Sequence, residues 1–162
     1  MSDSTHVTLT IPSSLAEKAK EIFDGGPADK YPDISQYNFE NVNYGELDFL
    51  DKLQSAGIPF DSDWEQGDEY GKGCESLRFS EDGEAIRKTI YVSEINPDLH
   101  QLMAIVIDPS ITDTMKLTVL VTHISKHNDR INCLPWDNQA VYAKTFLTRK
   151  LIGDTDDNAS VG

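Results

Sequence analysis

Residues 58–94 read IPFDSDWEQGDEYGKGCESLRFSEDGEAIRKTIYVSE, and the fold turns on how they divide. Ile58, Phe60 and Trp64 share one parity, with Ser62 between them, while Asp61 and Asp63 occupy the other. Side chains alternate across a strand, so the pattern predicts a strand with an apolar inner face and an acidic outer one. Residues 65–73 hold Gly67, Gly71 and Gly73 and read as a loop. CESLRFS, 74–80, puts Leu77 and Phe79 on one side and reads as the next strand. EDGE, 81–84, carries Asp82-Gly83, a favoured pair for a tight hairpin, and 85–94 returns as the partner strand. Together these runs predict a three-stranded antiparallel meander.

On the N-terminal side, HVTLTI, 6–11, alternates with Val7, Leu9 and Ile11 on one side and predicts a strand ended by Pro12. Ser14 and Glu17 make a capping-box pair, and Leu15, Ala16, Ala19, Ile22 and Phe23 share a helical face. A helix is predicted there, up to the Gly25–Pro27 run. Residues 28–37 read as a loop, 38–44 as a short strand and 46–55 as a helix closed by Gly57.

On the C-terminal side, Asn96-Pro97 reads as a cap with a first-turn proline, followed by Leu99, Leu102, Met103 and Val106 at helical spacing. Ser110 to Asp113 is another capping-box pattern. Leu117, Leu120, Val121 and Ile124 fit a helix while the run TVLVT fits a strand, which leaves 111–127 open between the two. Residues 129–136 read as a turn. Residues 137–151 read as a last helix capped by Asp137, with basic residues in its final turns. Helices that cluster after a meander, rather than alternating with strands, predict an α+β fold. One domain over 6–151 is expected, with 1–5 and 152–162 as disordered ends.

The 162 residues carry 28 acidic and 14 basic side chains, a formal charge of −14. Residues 1–84 hold 19 acidic and 6 basic ones, whereas 85–162 hold 9 and 8, so nearly all the excess lies in the first half. Such a surface repels nucleic acid and anionic membranes, so direct binding to either is not expected. It attracts a basic protein surface and speeds encounter with it, although the same charge also serves solubility alone. No basic start followed by an apolar stretch is present, and Cys74 and Cys133 make no disulfide framework, so a cytoplasmic protein with reduced thiols is expected.

Every site motif breaks at a required position. Asp61, Asp63 and Glu65 match the first three ligand positions of an EF-hand loop, but Gln66 stands where glycine is needed and Lys72 where a bidentate glutamate is needed. The same acids, walled by Trp64 and Tyr70, are a candidate carboxylate pair for acid–base work, which needs one of the two desolvated. His123 and His127 lie four apart, as zinc ligands on one helix face do, with Cys133 nearby, but HISKH lacks the zinc-protease glutamate. Cys74 sits among acids, a setting that raises a thiol pKa rather than activating it. No phosphate-binding glycine loop, nucleophile elbow or cofactor motif is visible, and no cofactor is expected. Trp136, Tyr142 and Phe146 with Lys144, Arg149 and Lys150 form either a docking face or a packed helix.

GIPFDSDWEQGDEYGKGCESLRF, 57–79, and LPWDNQAVYAKTFLTRKLI, 134–152, resemble two blocks found in small acidic proteins of bacterial plasmids, phages and integrated elements. The resemblance covers about a quarter of the chain. It implies a mobile-element setting and carries over no activity or site residue. Two functions are then expected as alternatives. In the first, a non-enzymatic protein docks Asp61, Asp63, Glu65, Asp68, Glu69, Glu75, Glu81, Asp82 and Glu84 on a basic partner, in the manner of a DNA mimic. In the second, a small metal-binding module or metal-dependent enzyme uses the 61–69 carboxylates or the His123/His127 pair. The first is preferred, because the charge asymmetry is intact whereas the motifs are not.

Overall fold

The computed structural model describes residues 4–25, 28–95 and 98–159. The fold is α+β. Strand β1 (Ser4–Pro12) leads through a 3-10 turn into a short helix α1 (Ala16–Ala19), then β2 (Asp29–Lys30), β3 (Ile34–Asn43) and helix α2 (Leu50–Ser55). Strands β4 (Phe60–Trp64), β5 (Gly73–Phe79) and β6 (Ala85–Tyr91) follow. Helices α3 (Val92–Ile95), α4 (Leu99–Ile107), α5 (Asp113–Ile131) and α6 (Gln139–Ala159) complete the chain. The six strands form one antiparallel sheet in the order β2-β3-β1-β4-β5-β6.

The register explains which face is buried. Val7 lies opposite Phe39 and Trp64, Leu9 opposite Tyr37 and Ser62, and Phe60 opposite Leu77. These side chains share one face, where Val7, Leu9, Ile11, Phe60, Leu77 and Phe79 are fully buried. Phe23, Phe39, Tyr37 and Phe49 pack there as an aromatic cluster with ring centroids 4.7–5.7 Å apart. Leu50 and Leu53 of α2 and Ala143 of α6 close the same core. The opposite face carries Asp61, Asp63, Cys74, Ser76 and Arg78.

The meander is as the alternation predicts, but its hairpin is not a two-residue turn. Gly83 N donates to Ser80 O and Ser80 N to Glu84 O, both at 2.9 Å, with Gly83 at φ +76. That is a type I turn closed by a left-handed glycine, a three-residue loop that relieves strand splay as a primed turn does.

Several local expectations are corrected. The Ser14/Glu17 capping box does not form, because Glu17 is held by Lys20 at 2.7 Å, and the helix shrinks to α1 behind an uncapped 3-10 turn. Residues 34–37 are not loop but the first part of β3, whose Ser35 is buried against Ile11. Residues 46–49 precede α2, since Tyr44 and Gly45 at φ +52 and +71 turn the chain sharply, with Glu46 N donating to Asn43 O. Asn96, Pro97, Gly26 and Pro27 lie outside the described residues, and Asp98 caps α4 by accepting from His100 N and Gln101 N. The 111–127 stretch is helical from Asp113 onward and capped by Thr112, not Ser110, whose N–H and hydroxyl go to Asp108. Helix α5 runs to Ile131, leaving 132–138 as the connector. Gln139 N donates to Trp136 O at 3.2 Å where α6 begins, and α6 continues to Ala159, so Lys144, Arg149 and Lys150 lie mid-helix. β1 takes in Ser4 and Thr5 of the expected N-terminal tail, and α6 takes in Ile152 to Ala159 of the expected C-terminal one.

Candidate functional site

Trp64 organises the first feature of interest. It is nearly buried, and its indole N–H donates to Gly71 O at 2.9 Å. Its ring lies over Gly73, where a Cβ would come within 2.5 Å of Cζ2, and against Gly45, where one would come within 2.9 Å. Glycine is therefore required on both sides of the indole. One ring pins the turn after β3 and the loop after β4. That loop is drawn inward further by Lys72, whose ammonium sits 2.8 Å from Glu65. The residue in the EF-hand's final ligand position thus neutralises a residue that the EF-hand needs as a ligand.

The pinned loops enclose an open cleft of about 860 Å³ on the core side of β5 and β6. Tyr44, Trp64, Tyr70 and Tyr91 supply its aromatic surfaces, and Glu46, Asp48, Asp51 and Glu75 its carboxylates. Trp64 and Tyr91 meet edge-on at 6.0 Å, and Tyr44 and Tyr70 stand 6.0 Å apart. Tyr44 and Tyr91 are exposed, with 46% and 42% of their surface open. Arg87 is the cation within the cleft lining, and it is bonded to both Glu75 and Asp51. Glu46 and Asp48 are exposed and make no ion pair among the described residues. The cleft is therefore aromatic with uncompensated negative charge at its rim.

The nine acids expected to act together are dispersed. Asp61 and Asp63 are on the outer face of the sheet, and Glu75 is on the inner one. Glu65, Asp68 and Glu69 belong to the 65–72 loop, with the Tyr44 hydroxyl 3.4 Å from Glu69. Glu81, Asp82 and Glu84 are exposed at the distant hairpin. Asp61 is committed elsewhere, because it accepts from Arg78 Nη2 at 2.8 Å.

Arg78 is almost fully buried. Its other N–H groups donate to Phe60 O, Leu77 O and Leu134 O, and its guanidinium stacks 3.6 Å from the Trp136 ring centre. Trp136 is thus half-buried, with one side of its ring taken up by Arg78. Arg149 reaches the Asp82 carbonyl, while Lys144 is exposed and Tyr142 packs against the core. Residues 132–136 cross the outer face of β5 and β6, with Lys88 Nζ on Asn132 O at 2.6 Å and Cys133 Sγ 2.8 Å from the Ser76 hydroxyl. A smaller cavity of about 280 Å³ remains beneath them.

Burial pushes the Cys74 thiol far up, and Asp63 and Asp61 beside it add to the effect, which opposes formation of a thiolate there. Desolvation raises Asp63 above the usual carboxylate value, Asp61 and Glu65 add repulsion, and the Cys74 hydrogen bond and Lys72 partly offset both. The neighbouring carboxylate of Asp61 is held by Arg78. His123 and His127 share a half-buried stripe of α5. Among the described residues no three of His, Cys, Asp and Glu converge to hold a metal. No helix there is long and apolar enough to cross a membrane.

Sequence reasoning missed Gln139, which is 1% exposed. Its amide accepts from Phe79 N at 2.7 Å and donates to Phe79 O at 3.1 Å. Those backbone groups point to the side where β4 has already begun downstream at Phe60, so the side chain stands in for a missing strand. The available signal is a lone glutamine in register with Ala143 and Phe146 on the inward helix face. Tyr44, Glu46 and Asp48 were hidden inside an expected strand and helix.

No protein-family model, curated protein or solved structure matches the chain.

Proposed function

We propose that this chain is a non-enzymatic binding protein of a mobile element, and that it takes a cationic segment of a basic protein partner into the Trp64 cleft. The observation that carries this reading is the pairing of exposed Tyr44 and Tyr91 with uncompensated Glu46 and Asp48 around one opening. A guanidinium or ammonium gains from both chemistries at once. Stacking on an aromatic face contributes about 0.5–2 kcal/mol. A carboxylate adds roughly 0–1 kcal/mol where water remains in contact. Arginine suits the site better than lysine, because its planar group can stack and bond to a carboxylate together. The formal charge of −14 draws such a partner in from a distance.

A phosphate-like array receives less support. Its acids divide between the two faces of the sheet, and Asp61, Glu65 and Glu75 already have cationic partners. Titration of a fluorescein-labelled octa-arginine peptide, followed by anisotropy, tests the proposal. Binding is expected at low salt, with a steep loss between about 50 and 300 mM as screening shortens the Debye length. An absence of binding, or binding indifferent to salt, would overturn the reading.

A further inference from the structure

Helix α4, LHQLMAIVI, has seven apolar residues among nine and none of them is buried. A helix that is apolar nearly all round belongs in an interior. Here Leu99, Met103, Val106 and Ile107 are 71%, 57%, 48% and 69% exposed. Helix α5, to which α4 is joined by 108–112 and against which it packs, shows the same excess: Leu117, Val121 and Ile124 are 63%, 58% and 41% exposed.

The spacing is ordered. Leu99, Met103 and Val106 recur at i, i+4 and i+7, and so do Leu117, Val121 and Ile124. That is the seam of a helix that packs knobs into holes against other helices. The part-buried positions are Leu102 and Ile105 on α4, and Lys116, Leu120, His123 and His127 on α5. In each helix the exposed seam lies about 100° further round, in the sense of chain progress, from these part-buried positions. In an antiparallel pair joined by a short connection, that rotation turns both seams to the same side. The hairpin therefore presents one continuous two-helix apolar face.

We propose that a second copy of this chain covers that face, the two α4–α5 hairpins forming a four-helix bundle about a two-fold axis. Size supports this occupant. The six seam side chains expose on the order of 600 Å² between them, at the top of the roughly 300–600 Å² patch usual on a monomer, and Ile107 at the edge of the seam extends the face toward the ~800 Å² that each partner of a standard interface buries. Charge supports it as well. Two copies must bring like surfaces together, and residues 85–162 carry 9 acidic and 8 basic side chains, whereas the −13 of the first half resides elsewhere in the chain. A seam of small hairpins related by a two-fold axis is also self-complementary without any further partner. The proposal does not depend on what the Trp64 cleft binds.

Sedimentation velocity on the full chain between about 1 and 100 μM tests it, a range that brackets association of ordinary strength. A species of twice the 18.1 kDa chain mass is expected. It should hold or strengthen as salt rises, since salt screens repulsion between two acidic copies and leaves apolar burial intact. The double variant Leu117→Glu, Val121→Glu should weaken association by about 100-fold or more, because four carboxylates would enter one dry seam. Its circular dichroism and melting at dilutions where wild type is monomeric should stay as in wild type, since both positions are exposed. Met115→Glu, on the far side of α5, should leave association unchanged. A wild-type monomer throughout the range would overturn the proposal, including one that instead adheres to lipid vesicles. So would a dimer indifferent to the double variant, or one that Met115→Glu disrupts equally. Should the double variant fail to fold, Val106→Glu on α4 offers the same comparison.

Discussion

At the scale of single residues, two side chains carry consequences that composition hides. Gln139 satisfies both backbone groups of Phe79 in a buried setting. Replacing it with leucine keeps the volume but orphans a donor and an acceptor, which should cost roughly 2–4 kcal/mol of unfolding free energy in urea denaturation. A loss below 0.5 kcal/mol would mean that water or another group replaces the amide. Asp63 works in the opposite direction. Its folded pKa lies above the unfolded value of 3.8, so the native state binds the proton more tightly. The carboxylate then penalises the native state above its folded pKa, and the penalty fades as pH falls to 3.8 and below. Asp63→Asn should raise the melting temperature at pH 7 and leave it unchanged at pH 3. A gain of equal size at both pH values would assign the effect to something other than titration. The outward position of Asp63 could be read from alternation, but its desolvation could not, because the groups around it, Cys74 among them, are brought there only by the β4–β5 register.

At the scale of elements, local pattern was informative where one face is wet and one dry. The β4, β5 and β6 runs were legible from their alternation, whereas α5 was left open between helix and strand because its run TVLVT fits either. β3 was cut short because Ser35, Gln36 and Tyr37 look like loop, although they lie against β1. The insertion of β1 between β3 and β4 leaves no local trace, since it is a choice of distant partners rather than of conformation. The cleft was illegible for a related cause: a sharp turn at Tyr44-Gly45 and two glycines beneath Trp64 create it, and they are far apart in sequence. The Asp82-Gly83 signal was right about the hairpin and incomplete about the reason for the glycine. Gly83 needs its left-handed φ of +76, and a Cβ there would also come within 2.8 Å of Phe146 N in α6. Gly83→Ala should therefore cost more than the roughly 1 kcal/mol of a left-handed alanine alone, on the order of 2–3 kcal/mol, measured by urea denaturation. A cost under 1 kcal/mol would show that α6 yields freely at this contact.

At the scale of the molecule, the charge asymmetry is a property of the sequence, but the structure changes where it can act. Arg78, Arg87 and Lys72 neutralise part of the acidic stretch and use it to anchor the connector, α2 and the loop. What remains available is the rim of an aromatic cleft on one side and an isolated hairpin tip on the other. The apolar α4–α5 face is a third surface, nearly neutral and distinct in chemistry. A chain that pairs through one surface and captures cations through another would present two clefts per assembly.

The most direct test of the central claim compares two charge-neutralised variants that lose the same charge at different places. Glu46→Gln, Asp48→Asn empties the cleft rim, and Glu81→Gln, Asp82→Asn empties the hairpin tip. With octa-arginine at low salt, the cleft variant should bind about 10-fold more weakly than wild type, equivalent to roughly 1.4 kcal/mol, and the hairpin variant within about 2-fold of wild type. Equal losses in the two variants would mean that net charge alone attracts the peptide, and would contradict the cleft as the binding site.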